Sequence, residues 1–562
     1  MTTALVELNP WPTSRRPRRW SARSWLWAPL IAGAAAVAIW QLGFRGSDVP
    51  AQLYYVRVFR AHGWVLWDNG WYGGHFQVSY SVLFPPLGAS IGVYGAALVC
   101  AASSAWAFER LVATASGRRN FGPGILFAAG TAVAVAIGQL PFLAGVAAGL
   151  LALLAASRNR TVVAIVFSAS CALFSQIAGA FLVLAILSWA LTSAAGERRR
   201  LFVLTGVAAL PVLMQSIMLP HLGPFPFMGP DLFVLESVCV LGVIALPKEY
   251  RALRVGLVLY GATALAVFVV PNPLGGNVGR AILYFAPALF AFLGTLPGRR
   301  AFALLVLPLL VWQYVPALSS LQSDNSRQAS YYAPLVKFLT SQPTIGRLEI
   351  PFTSAHWEAA YVAPRVPLAR GWLRQLDTLD NPIFYASASI NATSYHQWLL
   401  RSGVTWVALP DVSLDYSAAA EAHLLEHGQQ YLQLAWNNAH WRLWKVTDSP
   451  GLVSGPARVV ALGPDHVTLE ATGTGPALVR VRYTSLWHIA RGSACLRSNS
   501  RQWTKLMIQQ PGRIELTTSL FDTGNDCTAA PSERAQLARH VATPTAEPPH
   551  SGSSEHSGQH ER

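Results

Sequence analysis

Residues 66–88 read LWDNGWYGGHFQVSYSVLFPPLG, and the fold turns on how this stretch is understood. It is too polar to lie in a bilayer core and too aromatic to be a linker. It holds Asp68, His75, the carboxamides Asn69 and Gln77, the pair Gly73-Gly74 and the pair Pro85-Pro86. Apolar runs flank it, roughly 25–44 before it and 87–112 after it. Each is long enough to span a hydrocarbon layer, which takes about 17–25 residues of helix. A polar, aromatic loop between two such runs is expected at a membrane surface, where tryptophan and tyrosine concentrate.

The whole chain agrees with that reading. Of its 562 residues 52% are hydrophobic and only 12% are charged, against about 25% charged in a soluble domain. Mean hydropathy is +0.34. The formal charge of +15 does not point to nucleic acid. The arginines stand in short clusters between apolar runs, the pattern that sets membrane topology. The basic segment 1–24 followed by an apolar run resembles a signal peptide. That run is too long for one and no small-residue cleavage site follows it, so we read a retained first span with the N-terminus inside.

Working outward, about eleven spans are expected between residues 25 and 318. The clusters GRRN, SRNR, GERRR, KEYRALR and GRR all fall on the side of the basic N-terminus. Spans five and six are short, which leaves the count open by two. The exceptions to the charge rule are Arg45, Arg57 and Arg60 in the first outer loop (45–81) and Arg280 in the fifth. An odd count puts everything after residue 318 outside the cytoplasm. There, 319–449 alternates helix-like and strand-like pieces and reads as a small α/β unit. Residues 450–527 read as a β-sandwich or sheet. Residues 528–562 are rich in Ser, Pro, His and charge and read as a disordered tail. Of five cysteines, Cys100, Cys171 and Cys239 fall in spans and read as small apolar fillers. Cys495 and Cys527 fall in the β unit and are expected to pair outside the reducing cytosol.

Within the first outer loop, Ser47 or Asp48 followed by Pro50 starts a helix. Its apolar stripe suggests a helix lying on the outer surface, with Trp64, Trp67, Trp71 and Tyr72 at the lipid boundary. Gly73-Gly74 would turn the chain and Pro85-Pro86 would return it to the bilayer. Such a loop offers a polar floor at the depth of a lipid head group.

At this point the chain resembles the GT-C superfamily of membrane glycosyltransferases, and within it the YfhO-like bacterial membrane proteins, some of which are labelled pyruvoyl-tetrahydropterin-synthase-related. The matching pieces are DVPAQLYYVRVFRAHGWVLWDNGWYGGH from Asp48, YSVLFPPLG, GQLPFLAGVAAGLLALLAASR, VPLARGW, YHQWLLRSGVTWVALP and HWRLWKV. The resemblance covers most of the chain and its motifs are loose. It implies a GT-C-like helical bundle with an extracytoplasmic α/β plus β-sandwich domain, in a bacterial plasma membrane. It also implies transfer of a sugar from a polyprenyl-phosphate donor to a cell-envelope acceptor.

Such a transfer needs a base for the acceptor hydroxyl and cations for the departing phosphate. The resemblance gives the base role to Asp48; a helix cap is the competing reading. Asp68 could assist it, through a divalent metal if one is used, or simply begin a turn. Arg57 and Arg60 could meet lipid phosphates, and His75 could orient an acceptor or merely stand in a glycine turn. Arg280 could pair with a donor phosphate or snorkel to head groups. Glu236, read as the one carboxylate well inside a span, is expected in the same cavity, with His221 and Asp231 as possible neighbours. No nucleotide-binding, zinc-protease or serine-hydrolase motif occurs. The reading is therefore an inverting glycosyltransferase. The alternative is a non-catalytic protein of the same fold that binds or hands over lipid-linked glycans; a transporter fits less well, because charge gathers at the outer surface and no repeat is visible.

Overall fold

The computed structural model describes residues 25–117, 120–218, 223–319, 325–385, 390–497, 503–521 and 527. The basic N-terminal segment, the C-terminal tail and His221 lie outside them. Helix α1 is Trp27–Gln41 and α2 is Val49–His62. A two-stranded ribbon follows, β1 (Trp67–Asp68) with β2 (His75–Phe76), then α3 (Phe84–Ile91) and α4 (Val93–Ser116). The run expected as one span from residue 87 is therefore two helices, broken at Gly92, whose φ of 79° suits glycine. Next come α5 (Phe121–Ile137), α6 (Leu140–Ser157), α7 (Thr161–Phe174), α8 (Gln176–Thr192) and α9 (Ala195–Met218). The helical bundle ends with α10 (Gly229–Ala245), α11 (Arg251–Val269), α12 (Arg280–Gly294) and α13 (Val306–Ser319).

Five of these segments are long and apolar enough to cross a membrane: α4, α6, α9, α11 and Gly275–Gly294, which includes α12. Helices α1, α5, α7, α8 and the segment Arg300–Val315 are apolar but shorter. Leu213, Ile217, Ile244 and Val269 are all exposed, a large apolar surface that a lipid environment would cover. Inside, small residues let the helices approach closely. A Cβ on Gly145 would come 2.6 Å from that of Ala178, and one on Gly149 would come 3.3 Å from Cys171 Sγ.

The C-terminal half forms two units. In the first, β3 (Arg347–Glu349) runs parallel to β4 (Val404–Pro410), and β6 (Trp441–Val446) joins β4 to β5 (Leu432–Asn437), both antiparallel. Helices α14 (Ala329–Thr340), α15 (Glu358–Tyr361), α16 (Arg374–Asp380), α17 (Ala392–Ser402) and α18 (Ala419–Glu426) belong to it. Residue 403 is a glycine at φ 64° that ends α17, and an Asn391 capping box starts it. The second unit is a sandwich of two four-stranded sheets. One is ordered β12 (Ala494–Arg497), β13 (Trp503–Ile508), β10 (Gly475–Arg482), β7 (Val453–Ser454). The other is ordered β11 (Trp487–Arg491), β14 (Gly512–Thr518), β9 (His466–Ala471), β8 (Ala457–Leu462). Cys495 and Cys527 are disulfide-bonded with Cα atoms 4.9 Å apart, and Cys100, Cys171 and Cys239 are free and buried.

The stretch that opened the reading has a different place from the one expected. Trp64 alone stays exposed; Trp67, Trp71 and Tyr72 are buried. Trp67 sits in the core of the β-sandwich with Val479 and Leu516, whereas Trp71 and Tyr72 sit in the core of the α/β unit. Helix α2 contributes Tyr54, Tyr55 and Val58 to that same core. The loop is a clamp rather than a surface float. Tyr72 O–H donates to the Leu373 carbonyl (3.0 Å), Asn69 N–H to Pro464 (2.8 Å), and Arg482 N–H to Gly73 (2.7 Å). The glycine pair is required by this packing: a Cβ on Gly73 would stand 2.6 Å from the Trp503 ring and one on Gly74 would stand 2.5 Å from Trp67. Residues 45–81, assigned from sequence to the membrane unit, thus pack into the cores of both C-terminal units.

Candidate functional site

Helix α2 begins where the bundle meets the α/β unit. Asp48 occupies its N-cap position and makes no side-chain capping bond. Its carboxylate instead accepts from Ser47 Oγ (3.3 Å) and faces Arg280, with Oδ2 4.0 Å from Nη2. Only 9% of Asp48 is exposed. Burial pushes its carboxyl above the ordinary aspartate range, and the Arg280 charge and the Ser47 bond work against that rise. Arg280 opens α12 and lies over the Phe142 ring, 5.6 Å from its centroid. At 4.0 Å the pair is an ion pair without a hydrogen bond.

Both side chains line one cavity of about 980 Å³. Its floor is made by helix ends: Phe142 on α6, Gln176 on α8, Gln215 on α9 and Asn277 before α12. Its roof comes from the α/β unit: His356, Arg374, Asp415 and Trp372. Trp372 Nε1–H donates to the Ser47 carbonyl (2.7 Å), which ties that roof to the residue before Asp48. Arg374 grips Asp415 with two hydrogen bonds of 2.9 and 2.7 Å. Burial pushes Asp415 up, but the Arg374 bonds and the neighbouring His356 outweigh it and hold the carboxyl below its usual range. His356 is buried, with its pKa pushed down to about 3 by desolvation and by Arg374. Behind it, burial raises Glu358 to about 8, and Thr353 donates to that carboxyl at 2.6 Å. His356 also holds φ at 55°, uncommon for a residue with a side chain. At neutral pH this wall therefore offers a neutral imidazole and a paired guanidinium.

The other residues singled out from sequence lie elsewhere. Asp68 is fully buried in β1 and borders a different cavity. Its Oδ1 accepts from Gly70 N–H (2.8 Å), Oδ2 has no hydrogen-bond partner, and burial raises its pKa. A metal shared by Asp48 and Asp68 therefore does not fit. Among the described residues no three His, Cys, Asp or Glu side chains are grouped to hold an ion. His75 is buried and stacked on Trp71, with centroids 5.2 Å apart, and burial lowers its pKa; it lines neither cavity. Arg57 donates to the Ala360 carbonyl (2.8 Å) and borders the cavity of Asp68. Arg60 donates to the carbonyls of Ala89 and Gly88 and so joins α2 to α3. Glu236 lies against Gly261 of α11 and is not among the residues lining the Asp48 cavity. A second helical carboxylate, Glu109, is buried in α4 near the end of the run read as the second span. Asp231 is exposed at the start of α10.

Sequence reasoning missed His356, Arg374 and Asp415. His356 stands in the aromatic segment HWEAAY, and Arg374 lies two residues beyond the end of VPLARGW, so neither falls on a motif that marks a site.

A second space adjoins the first. An apolar cavity of about 400 Å³ begins one turn further along α6, at Gly145 and Val146, and is lined from α8 by Phe181 and from α12 by Ala281 and Phe285. Phe142 of the upper cavity and Phe181 of the lower one meet edge to face at 6.1 Å. No family model matches the chain, and no curated protein matches it.

Proposed function

We propose that the protein transfers a sugar from a polyprenyl-phosphate donor to a cell-envelope acceptor on the extracytoplasmic side of a bacterial plasma membrane. The observation that carries this reading is the stacking of two cavities on the same three helices. The upper is polar and holds Asp48, Arg280 and Arg374; the lower is apolar. An amphiphile with a charged head and a long hydrocarbon tail matches that pair of spaces. Asp48 would take the acceptor proton, and burial raises its carboxyl above the ordinary aspartate range, in the direction that strengthens a base. Arg280 and Arg374 would carry the phosphate, since guanidinium groups bind phosphate oxygens in pairs. Asp48 and Arg280 are themselves largely buried, which strengthens their charge interactions relative to those in water.

The same reading takes the shorter apolar helices as spans too, giving a GT-C-like bundle of about eleven crossings. Its support is the segregation of charge. Arg158, Arg160, Arg198–Arg200, Lys248, Arg251, Arg299 and Arg300 fall at helix ends opposite to those that form the cavity. On this reading the N-terminus lies in the cytoplasm and the C-terminal units outside it. A Ser449→Cys variant should react with an impermeant thiol reagent in intact cells; labelling only after lysis would overturn the topology.

The activity test uses the full chain in nanodiscs with a radiolabelled polyprenyl monophosphate. Arg280→Ala should lose binding. Asp48→Asn should keep binding and lose sugar transfer in membranes that supply the donor. If Asp48→Asn keeps full function while Arg280→Ala loses binding, the protein hands lipid-linked glycans over without chemistry. Unchanged binding in Arg280→Ala would sink both forms of the proposal.

A further inference from the structure

The cavity that Asp68 borders, about 700 Å³, lies apart from the one described above and is built by three parts of the chain. Helix α2 forms one wall, α14 the other, and the turn before β9 closes one end. Four cationic or cationisable side chains border it: Arg57 and His62 from α2, Lys337 from α14, and Arg365 from the segment after α15. All four residues are exposed. Arg57 spends one nitrogen on the Ala360 carbonyl. Lys337 and Arg365 make no side-chain hydrogen bond or ion pair among the described residues. Asp68 is the single carboxylate of the lining, and it is buried beneath the surface the cations share.

We infer that this groove binds an anionic oligosaccharide. Three features select that chemistry. Cations stand on both walls rather than converging on one point, so they match charges repeated along a ligand better than a single phosphate. The Asp68 Oδ2 atom is buried beneath the groove lining without a hydrogen bond of its own, beside the Tyr54 hydroxyl that also lines the groove and interacts with this carboxylate. A buried acceptor calls for a hydrogen-bond donor, and the hydroxyls that an acidic sugar carries between its charges are of that kind. Tyr361 adds a half-buried aromatic ring, already stacked on Trp357 at 5.5 Å, as an apolar platform. The inference stands whether or not the Asp48 cavity transfers sugar.

The test is calorimetric titration of the full chain in phosphatidylcholine nanodiscs with trigalacturonate, with maltotriose as the neutral control. Trigalacturonate should bind and maltotriose should not, and affinity should fall as salt rises. Lys337→Ala with Arg365→Ala should weaken binding about tenfold or more at unchanged thermal stability, because both side chains are exposed and unpaired. Arg280→Ala should leave this binding unchanged, which separates the groove from the transfer site. Equal affinity in the double variant would overturn the inference. So would equal binding of hexaglutamate, which carries charge without hydroxyls, or full competition by inorganic phosphate at matched ionic strength.

Discussion

Asp48 and Asp68 share one loop, are both nearly sealed from water, and both have carboxyls raised by burial. Yet Asp48 is ion-paired with Arg280 on the lining of a cavity of about 980 Å³, whereas Asp68 is held by the Gly70 N–H in a ribbon wedged between the two C-terminal units. Burial and a shifted pKa therefore do not mark a reacting group by themselves. What separates the two is Arg280, an ion-pair partner that Asp68 lacks among the described residues. Asp48→Asn should reduce sugar transfer by about 10²–10⁴-fold, the usual weight of a general base, with little change in melting temperature. Asp68→Asn should leave transfer near wild type. Equal losses in both variants would show that the distinction is wrong.

The raised Asp48 pKa sharpens that test. Transfer should rise with pH along a limb set above the ordinary aspartate value. Removing Arg280 removes the charge that opposes the burial effect, so residual activity in Arg280→Ala should need still higher pH. A limb that does not move would mean that Asp48 is not the titrating base.

The clamp end of the loop predicts a loss of stability instead. Trp71 is fully buried, stacked on Tyr54 at 4.3 Å and on His75 at 5.2 Å. Trp71→Ala should destabilise by about 3–5 kcal/mol, as large-to-small core changes do, and should loosen the α/β unit from the bundle. Limited proteolysis near residue 320 would report it. Stability within about 1 kcal/mol of wild type would mean that the loop does not clamp. Cys495→Ser should cost about 3–4 kcal/mol in the chain-entropy account of a loop of 32 residues, read as a lower melting temperature without a change in transfer.

Much of the architecture was legible because it rests on periodicity and punctuation. Arginine clusters mark one end of the helices, and Gly138 before Pro141 marks the turn between α5 and α6. The alternating strands of the sandwich announce themselves by period two. The destination of Trp67 and Trp71 was not legible. A tryptophan suits a membrane interface and a soluble core equally well, and only the core it enters distinguishes them; here the C-terminal residues of those cores begin more than 250 residues later in the chain, at Tyr331 and Val467. Asp48 and Arg280 could be singled out, one by its place after a span and the other by breaking the charge rule. His356, Arg374 and Asp415 had no comparable signal. Each belongs to an ordinary polar segment, and only the docking of the α/β unit on the bundle brings them over the cavity.

The smallest effect concerns the roof of that cavity. Burial raises Glu358 to about 8 and Glu421 to about 7, while it lowers His356 to about 3. A carboxyl raised in the folded state holds its proton more tightly folded than unfolded. Its contribution is complete below the unfolded value of about 4.3 and is lost as pH climbs through the folded one. The lowered histidine acts in the opposite sense, adding stability as pH rises from about 3 to its unfolded value of about 6.5. Between about pH 4.3 and 6.5 the two trends oppose each other, but above 6.5 the histidine term is finished and the carboxyls act alone. The melting temperature of the full chain in detergent should therefore fall between pH 6.5 and 8. Glu358→Gln keeps a hydrogen-bonding head group without an ionisable proton, so it should flatten part of that slope and leave the remainder to Glu421 and the buried Glu349 beside it. If the slope is unchanged, Glu358 is solvated in solution, and the wall beside His356 is more open than the buried arrangement seen here.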